Sequence, residues 1–282
     1  MKTRIISGVV GIVIFIAALV AAVKVSDLIL LCLLIVIGCI AVYEALVTTG
    51  YAKSKFIAAV SLIYAVITPL VYSLESGIFK LGDFAIRHET CLVLYGLIIF
   101  VAAMFKHDKV APCDVAFSFA ATVSIVFCFW SLAAIFSSSD GHGLFYLIIV
   151  VIVAWACDTG AYFSGYFFGR HKMAPVISPK KTVEGAVGGV IVDMLAVLVA
   201  CLVFNKLNDS TANIWLLVGL TPVLAVAGML GDLVFSYIKR ACGIKDYGKI
   251  MPGHGGVLDR FDSVVAVAPL VYLIIVHFPI VA

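Results

Sequence analysis

The feature that most constrains this chain is a series of long apolar runs separated by short polar loops. A helix needs about 20 mostly apolar residues to cross the hydrocarbon core of a bilayer, and most of these runs approach that length. Strands of a membrane barrel would instead alternate apolar and polar residues over about ten positions. We therefore predict an all-α, polytopic integral membrane protein with about nine transmembrane helices, at 4–23, 27–48, 56–74, 90–105, 113–137, 143–166, 183–204, 214–238 and 263–282.

Composition favours a single transmembrane domain over residues 1–282, because the chain is 64% hydrophobic and only 12% charged. A soluble domain is usually about half apolar and a quarter charged. The net charge of +3 is too small to indicate a nucleic-acid partner. None of the eight cysteines forms a C-x-x-C pair, which gives no support for a zinc or redox site. The apolar run after "MKTR" is longer than a signal-peptide core, so we expect a retained first helix.

The distribution of lysine and arginine predicts the orientation of the helices. With nine spans, alternate loops lie on opposite sides of the membrane, and 15 of the 19 basic residues then share the side of the N-terminus. The other side receives Lys24, Lys80, Arg87 and Lys206. We therefore predict a cytoplasmic N-terminus and an external C-terminus. Three unusual polar segments, all in residues 141–282, fall on the cytoplasmic side; residues 1–140 supply N-terminal membrane helices.

The first polar segment is "WACDTGAYFSGYFFGR", residues 155–170. Asp158 lies inside an apolar run, where an ionisable side chain costs a few kcal/mol and often marks a functional site. A polar contact between packed helices explains it equally well, so both interpretations stay open. Gly165 and Gly169 have the G-x-x-x-G spacing of closely packed helices, and we assign them to packing. Asp193, in the next span, has no evident partner and is also assigned to packing.

The second polar segment is "SPKKTVEGAVGG", residues 178–189. Ser178 and Pro179 suit the start of a helix, which would place Lys180, Lys181 and Glu184 on one helical face. Two lysines beside a helix N-terminus form an anion site, because the exposed backbone amides add to their positive charge. An ordinary lysine–glutamate salt bridge is the alternative, and a Glu184 side chain buried at the start of a span favours the anion site.

The third polar segment runs from Asp232 to Asp262. Asp232, Ser236 and Lys239 recur at i, i+4 and i+7, which predicts one shared face at the end of the eighth helix. Asp259 and Asp262 share a face if the ninth helix already begins there. A solvated loop can hold such a mixture of charges, but it does not explain an aspartate inside a span. The glycines of "PGHGG" would let the backbone approach a ligand closely.

Carboxylates beside lysine and arginine provide what phosphoryl transfer requires. Aspartates hold Mg²⁺ while substrate phosphates fill its other positions, and basic side chains neutralise the charge of the transition state. The sequence contains neither a P-loop motif nor a G-x-S-x-G motif. A nucleotide would therefore be held by the metal and by basic loops. His254 is a candidate general base or phosphate contact, or a structural residue; an ionised phosphate nucleophile needs no base.

The segment "SYIKRACGIKDYGKIMPGHGGVLDRFD", residues 236–262, closely resembles the signature of the phosphatidate cytidylyltransferases, or CDP-diacylglycerol synthases. The matching positions are Ser236, Lys239, Arg240, Lys245, Asp246, Gly248, Pro252, His254, Gly255, Gly256, Asp259, Arg260 and Asp262. Met251 stands where leucine, isoleucine or phenylalanine is usual. "CDTGAY" and "SPKKTVEG" also resemble family segments, whereas residues 1–140 match only as apolar spans.

The resemblance implies a reaction in which CTP and phosphatidic acid give CDP-diacylglycerol and pyrophosphate with Mg²⁺. It also implies a homodimer among membrane lipids, in a bacterial cell membrane, with its active site facing the cytoplasm. Asp232 and Asp259 would bind the metal, and Asp158 is a candidate third ligand. Whether a second, monovalent cation takes part is left open. The implied catalytic residues are Asp232, Asp259, Lys239 and Arg240. The candidate substrate-binding residues are Ser178, Lys180, Lys181, Thr182, Glu184, Ser236, Lys245, Asp246, His254, Gly255, Gly256, Arg260 and Asp262.

Two other functions compete with this interpretation. Carboxylates within the membrane often mark the ion pathway of a transporter. Transporters, however, place their sites near the midplane and often show internal repeats, whereas these acids gather towards one face and the sequence shows no repeat. A CDP-alcohol phosphotransferase would share the lipid substrate class, but its D-G-x-x-A-R type motif is missing.

Overall fold

A computed structural model describes residues 2–75, 87–138, 141–251, 253 and 255–281, with the backbone alone for residues 2–12. Within these residues the chain is almost wholly helical, and its only strands form one short hairpin. The helices are α1 Lys2–Lys24, α2 Leu28–Tyr43, α3 Lys55–Glu75, α4 His88–Phe105, α5 Pro112–Phe136, α6 Gly143–Phe168, α7 Val183–Leu207, α8 Ile214–Ala241 and α9 Leu258–His277. A π-helical segment, Glu44–Thr48, continues α2, and strands β1 Lys172–Ala174 and β2 Ser178–Thr182 pair antiparallel.

The all-α membrane fold predicted from the apolar runs is confirmed. Eight of the described helices are long and apolar enough to cross a membrane, counting α2 with its π-helical extension as one span, Leu28–Thr48. The described part of α1 contributes a shorter apolar stretch, Val13–Lys24. Proline lies inside α3, α8 and α9, which transmembrane helices tolerate because neighbouring groups satisfy the freed backbone. The orientation of the helices stays a prediction.

Exposed apolar side chains cover the outer faces of these helices, as expected of a surface that contacts lipid. On α4, only Tyr95 and Ile99 are buried, whereas Val93 and Met104 expose 60% and 63% of their surface. An apolar surface this extensive is rare on soluble monomers. Helix α4 therefore packs along one narrow line and offers the rest of its surface to the bilayer.

Two local predictions about element boundaries were wrong. Ser178 and Pro179 do not begin a helix, because they lie in β2; the helix begins at Val183. Its N-cap is Thr182, whose hydroxyl oxygen accepts a hydrogen bond from the Gly185 N–H at 3.1 Å, as N-cap threonines commonly do. The ninth helix begins at Leu258 rather than 263, so it already contains Asp259.

The chain divides into two compact units. The first comprises residues 1–133 and 241–260, and the second comprises residues 134–240 and 261–282. In the first unit, α2 packs against α1 and α3, and α3 packs against α4. In the second unit, α6 and α7 form the most extensive helix pair, and β2 contacts both.

Glycines allow the close approach of α6 and α7. A Cβ added at Gly185 would lie 2.7 Å from the Ala161 carbonyl oxygen, and one at Gly189 would lie 2.8 Å from the Cys157 carbonyl oxygen. Gly165 would meet the Thr182 side chain at 2.8 Å. These distances are shorter than ordinary contacts, so larger residues would force the helices apart. The packing role predicted for Gly165 is therefore confirmed, and Gly169 packs on the same threonine.

Candidate active site

The second unit contains a polar cluster centred on Asp232, near the end of α8. The carboxylate of Asp232 forms an ion pair with the ammonium group of Lys181, and these side chains are only 20% and 23% exposed. One helical turn further, the Ser236 hydroxyl donates a hydrogen bond to Asp232 Oδ1 at 3.3 Å. Lys239 lies one turn beyond Ser236, is 8% exposed, and interacts electrostatically with Asp232. The predicted shared face of Asp232, Ser236 and Lys239 is confirmed.

Asp262, in the first turns of α9, joins this cluster. Its carboxyl group lies within hydrogen-bonding reach of the Asp232 carboxyl group, and Lys239 lies near enough to act on both. Two ionised carboxylates cannot hydrogen-bond to each other, because each is only an acceptor. The pair therefore requires a shared proton or a cation held between the oxygens, which is the donor set that Mg²⁺ prefers.

Two further acids of the second unit lie deeper along α6 and α7. The Ser263 hydroxyl donates a hydrogen bond to Asp158 Oδ2 at 3.4 Å. Asp158 also interacts electrostatically with Asp232 and Lys181. Asp193 is fully buried, and among the described residues neither of its carboxyl oxygens has a hydrogen-bond partner. Asp193 lies near enough to Asp158 and Cys157 to interact electrostatically with both. The packing role predicted for Asp193 stays a prediction, and its position inside an apolar span also suits a functional role.

The predicted face shared by Lys180, Lys181 and Glu184 is wrong, because both lysines belong to β2 rather than to a helix. Glu184 binds His171 instead, with 2.6 Å between its Oε1 and the ring Nδ1. It also accepts hydrogen bonds from the backbone N–H groups of Arg170 and His171, at 3.1 Å and 3.2 Å. Glu184 is only partly buried, and it fastens the segment before β1 to the start of α7.

Three other predicted residues of the second unit have more exposed side chains than the buried members of this cluster. Lys180 and Arg240 are exposed, and Ser178 is half-buried. Arg240 donates a hydrogen bond through Nε to the Ile177 carbonyl oxygen at 3.4 Å, which draws it towards the hairpin. Substrate contacts by these residues stay predictions.

In the first unit, Asp259 organises the loop before α9. Its Oδ2 atom accepts hydrogen bonds from the N–H groups of Tyr247 at 2.8 Å and Gly256 at 2.9 Å, and the side chain is 9% exposed. The bond to Gly256 reaches back three residues, as the acidic residue of a capping box does at a helix N-terminus. These two bonds fix the orientation of the carboxyl group.

The loop itself depends on glycine. Gly255 has a φ of +87°, and a Cβ there would lie 2.9 Å from Asp259 Oδ2. Its carbonyl oxygen accepts a hydrogen bond from the Met251 N–H at 3.1 Å. Such a φ is strained for any residue with a Cβ. Lys245, Asp246 and Arg260 are exposed around this loop, and His254 lies outside the described residues.

One buried acid of the first unit was missed by sequence reasoning. Glu44, at the end of the second apolar span, is 2% exposed, and its Oε2 accepts a hydrogen bond from the Leu258 N–H at 2.9 Å. The two residues are 214 positions apart in the chain. The signal was present, since Glu44 is the single carboxylate within the run 27–48 after Asp27 and ionisable residues within spans are costly.

The predicted residues thus fall into two local groups, one in each unit. Asp158, Lys181, Asp232, Ser236, Lys239 and Asp262 interact within the second unit. Asp246, Gly255, Gly256 and Asp259 lie together in the first unit. The predicted sharing of one cation by Asp232 and Asp259 joins residues of different units and stays a prediction.

Comparison with known proteins places these residues in a family. The profile of the Cytidylyltransferase family matches residues 2–278. A phosphatidate cytidylyltransferase of Staphylococcus epidermidis is 34% identical over 283 residues, which cover 98% of this chain and 100% of that protein. Phosphatidate cytidylyltransferases of Staphylococcus aureus and Staphylococcus haemolyticus are 43% and 45% identical over 157 residues, so the chain spans only 59% of their length. The match over nearly its whole length shows that this chain belongs to the cytidylyltransferase family.

Proposed function

We propose that this protein is a phosphatidate cytidylyltransferase, which transfers CMP from CTP to phosphatidic acid and releases pyrophosphate. The observation that carries the proposal is the pairing of Asp232 with Asp262 beside Lys181 and Lys239 in a largely buried cluster. Carboxylates that share a cation, next to ammonium groups, suit a substrate that brings several phosphates. The names of the relatives agree with this chemistry.

A magnesium ion fits the donor atoms of this chain, because the Asp232–Asp262 pair needs a positive charge or a proton between its oxygens. The resemblance assigns the ion to Asp232 and Asp259, with Asp158 as a candidate third ligand, and the pairing of Asp262 with Asp232 adds Asp262 to these candidates. When bound, Mg²⁺ supplies positive charge that neutralises the phosphates and favours attack at phosphorus. A second, monovalent cation stays open, and we assign no ligands to it.

Basic residues would bind the phosphate groups of both substrates during the transfer step. Lys239, Arg240, Lys245 and Arg260 would bind the lipid phosphate, the triphosphate or both. An oxygen of the phosphatidic acid phosphate attacks the α-phosphorus of CTP in line. The new phosphorus–oxygen bond forms as the bond from the α-phosphorus to the bridging oxygen breaks, and pyrophosphate leaves with that electron pair. The attacking oxygen is already ionised at neutral pH, so no general base is required.

The proposed setting is a bacterial cell membrane, with the site at the cytoplasmic side and two copies of the chain in a homodimer. The support for the orientation is the concentration of lysine and arginine on the side of the N-terminus. A C-terminal alkaline phosphatase fusion should be active outside the cell, because the C-terminus is predicted to be external. Cross-linking in the membrane tests the dimer.

The decisive experiment is an assay of the purified full-length protein with phosphatidic acid, Mg²⁺ and each nucleoside triphosphate in turn. We expect CDP-diacylglycerol and pyrophosphate to form in equal amounts with CTP, and a chelator to stop the reaction. The Asp232→Asn variant should fold but lose turnover. Proton-coupled transport without any release of pyrophosphate would reject the proposal in favour of a transporter.

A further inference from the structure

Glu44 occupies a position that the proposed chemistry does not use. It is 2% exposed and opens the π-helical segment Glu44–Thr48 at the end of the second span. A buried carboxylate in an apolar span is costly unless it has a specific task. Single π-helical turns are rare and frequently occur at functional sites. These two features indicate that the local geometry serves the placement of this carboxyl group.

The backbone of the loop before α9 closes around the Glu44 carboxyl group. Its Oε2 accepts a hydrogen bond from the Leu258 N–H at 2.9 Å, and the Val257 N–H also binds the carboxyl group. A Cβ added at Gly248 or at Gly256 would overlap the carboxyl group itself. Glycine at these two positions therefore leaves the space that the Glu44 side chain fills.

The π-helical segment holds the same loop at a second point. One turn beyond Glu44, the Thr48 hydroxyl donates a hydrogen bond to the Tyr247 carbonyl oxygen at 2.5 Å. The N–H of Tyr247 in turn donates to Asp259. Both ends of the loop are thus fastened to one short segment of the N-terminal helices.

Glu44 and Asp259 accept hydrogen bonds from backbone N–H groups at and just before the start of α9. The first N–H groups of a helix have no partner within the helix, and negative charge near them is favourable. Glu44 accepts a hydrogen bond from the N–H of Leu258, the first residue of α9, whereas Asp259 accepts one from the N–H of Gly256, two residues before the helix. The position of the Asp259 carboxyl group therefore depends on where Glu44 holds the first residue of α9.

We propose that Glu44 is a positioning residue for the transfer reaction: it caps α9 from another helix and so fixes the Asp259 carboxylate in its working position. The inference rests on the proposed function only for the role of Asp259; the anchoring of the loop stands on the contacts of Glu44. A misplacement of about 1 Å can reduce a rate about 100-fold. Glu44 acts through the loop and does not itself touch the substrate.

The test compares full-length Glu44→Gln, Glu44→Asp and Glu44→Ala proteins. Glutamine keeps an acceptor oxygen at the same reach, whereas aspartate keeps the charge but retracts it by one methylene. We expect Glu44→Gln to retain most of kcat, and Glu44→Asp and Glu44→Ala to lose about 100-fold. The Mg²⁺ concentration for half-maximal activity should rise in the two impaired variants, because Asp259 is then less well placed.

Hydrogen exchange of residues 245–260, measured without Mg²⁺ or substrate, gives a readout independent of turnover. Exchange should accelerate in Glu44→Asp and Glu44→Ala but not in Glu44→Gln. Ser61→Ala is the matched control, since Ser61 is a buried residue of the same unit that bonds Tyr95 at 2.9 Å and not the loop. This control should lower the melting temperature without changing exchange in residues 245–260.

Gly248→Ala provides a reciprocal test of the same contact. In the native background the added methyl group overlaps Glu44 and should accelerate exchange of the loop. In the Glu44→Ala background only the 3.1 Å approach to Gly256 Cα remains, so Gly248→Ala should accelerate exchange much less than in the native background.

Three results would overturn the proposal. If Glu44→Ala keeps the native hydrogen-exchange rate of residues 245–260 and the native kcat, Glu44 does not anchor the loop. If Glu44→Asp is active and Glu44→Gln is inactive, the effect depends on the charge of Glu44 and not on its reach. If Gly248→Ala changes the exchange rate equally in both backgrounds, Gly248 and Glu44 are not in contact. If Glu44→Ala does not fold, the comparison of Glu44→Gln with Glu44→Asp still tests the proposal.

Absence of CDP-diacylglycerol synthesis by the native protein would reject the proposed function. The exchange results would still test whether Glu44 anchors the loop.

Discussion

The ion pair between Lys181 and Asp232 allows a stability prediction with a definite size and sign. Lys181 comes from β2 and Asp232 from α8, so their pairing ties the hairpin to the helix bundle of the second unit. Asp158 lies near enough to interact electrostatically with Asp232, and the Asp262 carboxyl group lies within hydrogen-bonding reach of it. Replacing Lys181 with methionine keeps most of the side-chain volume and leaves this group of acids without its nearest positive charge.

The expected magnitude follows from charge separation and exposure. Two unit charges about 4 Å apart attract by about 4 kcal/mol at an effective dielectric constant near 20. The two side chains are 23% and 20% exposed, so water screens part of that attraction. We expect Lys181→Met to cost about 2 kcal/mol, below the 3–5 kcal/mol that is typical of breaking a wholly buried pair. In a chain of this size that corresponds to a melting temperature about 4–8 °C lower.

Thermal unfolding of the purified protein in detergent measures this effect. The variants are Lys181→Met, Asp232→Asn and the double variant, with Lys180→Met as the exposed control from the same strand. The double variant should be more stable than Lys181→Met alone, because Lys181→Met leaves the largely buried Asp232 carboxylate without its counter-ion, whereas the double variant removes that charge as well. The reasoning is refuted if the losses in melting temperature of the two single variants add up in the double variant. It is also refuted if Lys181→Met lowers the melting temperature no more than Lys180→Met does.

Three further predictions concern the other contacts. Asp259→Asn should still accept the loop hydrogen bonds and fold, yet lose CDP-diacylglycerol synthesis; a fully active variant would exclude the carboxylate from the reaction. Gly185→Leu should destabilise the protein by about 1–3 kcal/mol through overpacking, whereas Gly219→Leu, with open space around it, should leave the melting temperature unchanged. Glu184→Gln should accelerate hydrogen exchange at residue 171 while leaving the melting temperature almost unchanged, and unchanged exchange would contradict the anchoring of His171.

The helices were predictable because the bilayer imposes a length and a composition on every span. The run 183–204 became α7, Val183–Leu207, and the run 113–137 became α5, Pro112–Phe136. The shared face of Asp232, Ser236 and Lys239 followed from helical periodicity, which needs only the local sequence. Features of this kind depend on residues that are near one another in the chain.

The boundaries of polar segments were not predictable in the same way. The start of α9 at Leu258 lies in a polar stretch, where hydropathy gives no signal, and it is set by the capping contacts of Asp259 and Glu44. The strands β1 and β2 are too short to show alternation. The partner of Glu184 became His171 only because the hairpin returns the chain to the start of α7.

The contacts of Glu44 also give a physical reason for the glycines of the signature. Gly248 and Gly256 lack a Cβ where one would overlap Glu44, and Gly255 lacks one where it would crowd Asp259. The loop and the acid of the second span therefore constrain each other, although 200 or more residues separate them. A relative with glycine at both positions facing Glu44 should also carry a side chain with an acceptor oxygen at the end of its second span. Relatives that combine these glycines with an apolar residue there, and keep full activity, would show that the glycines serve another purpose.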